Sequence, residues 1–328
     1  MYVFIEYLKA IATLLIANSH MKGVYPSDFL SFGGGFGLAL FYMISGFLLY
    51  PISSNMKFFG WYFPKILRLY IPLWMVALIE IICGYRVPTS VEDIIWWYVF
   101  PSRWFVGSMV IMYVTFYAYA RLAKKGNQQR KLVEVVCILV LYFFVYYLIG
   151  NVAFISIETL SRQPRGIETP YVVTQLIWLC CMILGAYFKE RLSIRKNETK
   201  HKIIEIVGLM MSVLFFIGVK LQAYSGSDKT QIILGPVYIM FGVTLFNLFL
   251  NDEVVFRRHL KNIIYRCVHI ISKCSLEIFY IQFIIIDQMK KIDFPMNAIF
   301  IFFAIIVCGY MVNWVSSRLI KIIRGIGK

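Results

Sequence analysis

Long apolar runs, each about as long as a membrane crossing and each ended by charge, glycine or proline, recur along the whole chain. They fall at about 2–21, 33–50, 69–85, 103–120, 132–150, 171–188, 203–222, 231–250, 274–289 and 295–317. A helix needs about 20 mostly apolar residues to span a bilayer, where its backbone must satisfy its own hydrogen bonds. The pattern predicts an all-α integral membrane protein with about ten transmembrane helices in a single domain over residues 1–328, the runs at 69–85 and 274–289 being short. Of the 33 Lys and Arg residues, 23 fall in the loops 51–68, 121–131, 189–202 and 251–273 and in the tail, and eight in the alternate loops. Cytoplasmic loops carry the excess of Lys and Arg, so both termini are predicted to be cytoplasmic.

Only Lys9 and Lys220 of the cations lie inside runs. Lys9 and His20 share the first run, eleven residues apart, so on a helix they differ by about 20° in heading and lie roughly 16 Å apart along one face. An ionisable group inside a span normally faces protein or a wet cavity and marks a functional site; the competing reading is a snorkelling Lys and an interfacial His. In the second run, Gly34, Gly37 and Gly46 would allow close packing on the first helix. Ser45 there offers a hydroxyl, whose competing use is a bond to a carbonyl of its own helix. Lys65 and Arg68, three residues apart in the 51–68 loop, share a helical face that can grip phosphates or anchor anionic lipid. Trp104 opens the fourth run as an aromatic-belt residue would.

Composition narrows the classes further. With 60% hydrophobic residues and 17% aromatic, the chain leaves no stretch for a soluble catalytic domain. Its net charge of +16 sits in alternate loops rather than in a nucleic-acid-binding motif, so membrane lipids are expected partners and nucleic acid is not. The seven cysteines have no paired metal spacing, and no metal site is predicted. The first run has no basic segment before it and carries Lys9, so it reads as a retained span rather than a signal peptide. Nothing in the pattern sets an oligomeric state.

Four stretches together resemble the membrane-bound acyltransferase 3 family, which includes bacterial O-acetyltransferases of surface polysaccharides. Lys9 and His20 resemble the family's basic residue, ten positions and His, with Lys where Arg is more usual. Gly37 to Leu48 is similar to its glycine lead into Phe-Phe-x-x-Ser-Gly-Phe-Leu, Lys65 to Pro72 to its basic pair before Tyr-Pro, and Trp104-Phe105 to its Trp-Phe. The segment Ser275 to Gln282 resembles a late Ser-Leu-x-Ile-Tyr-Leu-x-His. Two departures stand out. Leu38 and Ala39 occupy positions where an acidic residue is frequent, and Gln282 replaces the late His, so no catalytic role is carried to it. No extracytoplasmic domain of the sort some members carry is expected here.

The resemblance implies transfer of an acyl group, usually acetyl from acetyl-CoA, to a sugar hydroxyl of a surface polysaccharide or its lipid-linked precursor, in a bacterial cytoplasmic membrane. His20 would be the general base, kept neutral by burial; an acetyl-His intermediate is the alternative. Lys65, Arg68 and Lys9 would hold the phosphates of acyl-CoA, with a pantetheine arm of about 15–20 Å reaching from them to His20. Glu80 and Asp287 are candidate partners for His20 or the acceptor, as are Ser45 and Trp104 for the acceptor, and Trp96, Trp97 and Tyr98 could stack on sugars from an outer loop. A glycan or lipid exporter and a noncatalytic subunit of a polysaccharide-synthesis complex are the alternative classes, and neither requires Lys9 and His20 aligned above a basic pair.

Overall fold

The computed structural model describes residues 2–99, 104–123, 127–151, 171–194, 202–224 and 232–326. Among them there is no strand, and every one of the ten apolar runs is helical. In chain order the helices are α1 (Val3–Ser19), α2 (Gly34–Leu49), α3 (Phe58–Ile82), α4 (Val91–Ile94), α5 (Trp104–Leu122), α6 (Gln128–Asn151), α7 (Tyr171–Ile194), α8 (Lys202–Tyr224), α9 (Leu234–Asn251), α10 (Glu253–Arg258), α11 (Ile263–Lys273), α12 (Ser275–Met289) and α13 (Met296–Ile326). Among the described residues seven stretches are each long and apolar enough to cross a membrane, and eight if α11 and α12, bent by 80° at the break between them, form one broken crossing. The other two of the ten expected crossings are α1, which has 17 residues, and α3, which carries Lys65, Arg68 and Glu80 along its length.

The chain packs as two compact units. The first comprises Met1–Gly37, Ser53–Val114 and Val255–Lys328. In it α12 packs on α13, α1 and α3, and α11 lies across α1. Ala10, Ala17 and Met21 of α1 and its end meet Ile278 and Ile286 of α12 and Ile301 and Ile305 of α13 in one buried apolar cluster. Close approach of α2 to α1 is written in glycine, as expected: a Cβ on Gly37 would run into the Ala12 carbonyl oxygen, and one on Gly34 into the Ser19 hydroxyl.

Several boundaries differ from the apolar pattern, for one reason. Charged residues mark the end of an apolar run, but they do not break a helix. Thus α3 begins at Phe58, eleven residues before its run, and α13 continues to Ile326, nine residues past its own. The stretch 251–273, expected as a loop, contains α10 and α11. Of the segment expected as an outer loop at 86–103, the described part to Val99 turns back along α3. There a capping box of Ser90 and Asp93 starts α4, and a π-helical turn follows at Ile95–Val99. The Tyr70 hydroxyl donates to the Val99 carbonyl at 2.8 Å and Trp74 Nε1 to that of Tyr98 at 2.9 Å.

The second unit comprises Leu38–Ile52 and Thr115–Val254. Here α6 packs on α7, α8 on α9, and α7 on α9. Gly46, expected to serve the contact with α1, instead brings α2 backbone to backbone with α7: its Cβ would strike the Met182 carbonyl, and a Cβ on Gly185 would strike that of Met43. The buried ammonium of Lys131 is paired with Glu190 at 2.8 Å, and the Tyr50 hydroxyl donates to the same carboxylate at 2.7 Å. On α6, Val136, Val140 and Phe144 form an exposed apolar stripe of the kind lipid covers.

Candidate active site

Lys9, Lys65, Arg68 and His20 all belong to the first unit. Lys9 is half-buried on α1, close enough for its charge and that of Arg68 to act on each other. Its ammonium forms no hydrogen bond or ion pair among the described residues; only its carbonyl is engaged, by the Thr13 hydroxyl at 2.8 Å. An ammonium left in that condition on a membrane helix calls for water or an anion beside it.

Arg68 is held rather than free. Its guanidinium pairs with the fully buried Glu277 of α12 at 2.9 Å and donates to the Lys273 carbonyl at 3.3 Å. Glu277 also accepts from Asn313 of α13 at 2.9 Å. The carboxylate orients Arg68 and takes up part of its charge, so the expected phosphate grip does not fall on Arg68 alone. Lys65 has no carboxylate partner among the described residues. Its ammonium donates to the Trp61 carbonyl at 2.6 Å and sits over the Trp61 ring. Lys65 lies on the part of α3 that precedes the apolar run, where loss of water and the neighbouring Arg324 push its ammonium down to about 8.

An open cleft of about 510 Å³ lies at this end of the unit, lined by Pro64, Lys65 and Arg68 of α3, Tyr113 of α5, and Ser317, Ile320, Lys321 and Arg324 of α13. Small-molecule sites typically have volumes of about 300–1,000 Å³. Four cations and two hydroxyls around such a hollow suit an anionic ligand with several oxygens. Sequence reading found the α3 half of this lining and missed the α13 half. Lys321 and Arg324 had counted only as tail charges. The available signal was their spacing from Ser317, at i, i+4 and i+7, which makes one helical stripe.

His20 stands at the other end of α1, where its backbone N–H caps the helix by donating to the Ala17 carbonyl at 3.1 Å. Its ring packs edge-on against Phe283 of α12 with centroids 4.7 Å apart. The expectation of burial needs correction: His20 is exposed, with the Phe283 ring against one side of it. Neither ring nitrogen is hydrogen-bonded among the described residues. Asp287, one turn beyond Phe283, is engaged instead by the Tyr85 hydroxyl and by Lys290 at 2.6 Å. Glu80 is fully buried on α3, with the backbone N–H of Tyr85 donating to its carbonyl at 2.8 Å. Neither carboxylate is bonded to His20.

Between the two ends of α12 lies Gln282. It is fully buried, and neither its amide nitrogen nor its oxygen has a hydrogen-bond partner among the described residues. It sits one turn from Ile278 and one from Ile286, so it belongs to the stripe that packs with Ala17. Ser45 is half-buried on α2 in the second unit, and its hydroxyl does not make the expected bond to its own helix. Trp104 opens α5, but its side chain lies outside the described residues, as do all but the first residue of 151–170, a further outer loop where acceptor contacts are expected. The Trp96–Tyr98 run lies along α3, with the Arg86 guanidinium 5.4 Å from the Trp97 ring centre. No group of three or more His, Cys, Asp or Glu able to hold a metal occurs among the described residues.

Helices of membrane-crossing length, together with a cleft lined by four cations in the first unit, mark a multi-pass membrane protein. The family model described as acyltransferase domain, acyltransferase 3, matches residues 2–318, and the chain belongs to that family. No curated protein and no solved structure matches it.

Proposed function

We propose that this membrane acyltransferase moves an acetyl group from acetyl-CoA in the cytoplasm to a sugar hydroxyl of a surface polysaccharide or its lipid-linked precursor, in a bacterial cytoplasmic membrane. Ten crossings with both termini cytoplasmic would put the cation-lined cavity on the donor side and His20 on the acceptor side. One observation carries this reading. Lys9, two turns into α1 and within reach of the charge of Arg68, and His20, unbonded and accessible at the C-terminal cap of α1, lie within one unit.

In the reaction the unprotonated imidazole of His20 accepts the proton of the sugar hydroxyl as its oxygen attacks the thioester carbonyl. The carbon–sulfur bond then breaks, and the thiolate leaves with the proton that the imidazolium returns. The acetyl ester and free CoA are the products. With no carboxylate on its ring, His20 has both nitrogens available for the acceptor hydroxyl and the leaving sulfur. The pantetheine arm would run roughly 16 Å along α1, and its amides offer Gln282 the partners it lacks. The acceptor contacts of Trp104, Glu80 and Asp287 are part of the same proposal.

Native membranes supplied with acetyl-CoA labelled in the acetyl group test this reading. Label should pass into alkali-labile ester on glycan with the native protein, and His20→Ala should slow that passage about 10²–10⁴-fold without loss of CoA binding. Equal transfer by His20→Ala would remove the imidazole from the mechanism.

A further inference from the structure

The charge around the cavity exceeds what a diphosphate requires. Of its four cations, Arg68 is paired with Glu277, whereas Lys65, Lys321 and Arg324 form no ion pair among the described residues. The charges of Lys9 and Arg68 act on each other. A diphosphate linkage carries two negative charges, and a phosphate monoester adds about −1.5 to −2 at neutral pH. Three unpaired cations around one hollow therefore suit a head bearing both.

The placement of these groups divides the cavity. On the α3 side, Arg68 is the lining cation whose charge acts on Lys9 of α1, the helix that leads to His20. On the α13 side, Ser317, Lys321 and Arg324 form a stripe at i, i+4 and i+7 that lines the same hollow. Arg324 is fixed at the rim, one N–H donating to the Pro64 carbonyl at 2.9 Å, with its remaining donors unengaged. A guanidinium held in that way presents a fork matched to phosphate oxygens. In coenzyme A the diphosphate joins the pantetheine arm, while the 3′-phosphate sits on the ribose, away from that arm. With the arm directed along α1, the diphosphate falls to the α3 side and the ribose phosphate to the α13 side.

We infer that Ser317, Lys321 and Arg324 of α13 form a subsite for the 3′-phosphate of the donor's nucleotide, and that this subsite makes the protein select a 3′-phosphorylated carrier over the same carrier lacking that phosphate. The inference rests on the acyl-CoA reading and adds to it a basis for donor specificity on a helix that the basic pair of α3 does not include.

The test is calorimetric titration of the full-length protein in lipid nanodiscs with coenzyme A and with 3′-dephospho-coenzyme A. Native protein should bind coenzyme A at least about tenfold more tightly, the effect of a charge-assisted contact. The Lys321→Met/Arg324→Met double variant should bring the ratio of the two affinities close to one, and Lys321→Arg should keep it, which separates loss of charge from loss of fold. Equal affinities in the native protein, or a ratio unchanged in the double variant, would overturn the subsite while leaving the acyl-CoA reading in place. Failure of the native protein to bind either compound would overturn both.

Discussion

The residues of this site differ in what else they hold, and their tests differ accordingly. Arg68 bridges α3 to the buried Glu277, so its removal strips a carboxylate of its charge partner and mixes stability with binding. Lys65 gives a cleaner probe. Its ammonium is pushed down to about 8 by lost hydration and by Arg324, so without a bound anion it loses its charge as pH rises through that region. An anion favours the charged form, so affinity should fall as pH rises through 8. Titration of coenzyme A across pH 7 to 9.5 should show that fall, and Lys65→Arg should abolish it. Gln282 makes the opposite kind of prediction. Its two orphaned polar atoms disfavour the folded state, so Gln282→Leu should stabilise the unliganded protein by about 1–3 kcal/mol. The same change should raise the donor KM if the amide serves the arm. Thermal melting and donor titration read the two effects separately.

At the scale of elements, close helix contacts were legible where glycine marks them and ambiguous as to which helix they meet. Gly37 does meet α1, but Gly46 meets α7 in the second unit, because glycine shows that something approaches and not what. A methyl group at Gly46 has only the Met182 backbone before it, which no side-chain rotation relieves, so Gly46→Ala should cost about 1–3 kcal/mol of stability. Melting of the purified variant in detergent checks this. Helix ends were read less well than helix centres. The apolar pattern reports where lipid could lie, and α3 and α13 both run on past that limit with Lys65, Arg68, Lys321 and Arg324 on their extensions. Those extensions build the cavity, so half of its lining was hidden by the charges that equip it. A contact such as Arg324 to Pro64 joins residues 260 positions apart, which no local pattern encodes.

Across the whole molecule, helix placement and family were readable from sequence, and the two-unit packing was not. The family model over residues 2–318 agrees with the resemblance carried by Lys9, His20, the α2 glycines and the basic pair. The division into units cuts within α2 at Gly37 and within α5 at Val114, at points where composition does not change. Both ends of the proposed donor path nevertheless lie in one unit. The central claim is that the cavity and His20 serve one transfer reaction. Proton NMR of surface glycan tests it most directly, in cells carrying the native protein, no protein, or His20→Ala at matched membrane levels. An O-acetyl ester signal present with the native protein and absent from the other two is the predicted result. The same signal in all three, with glycan export reduced where the protein is missing, would contradict acyl transfer to this glycan and favour an exporter.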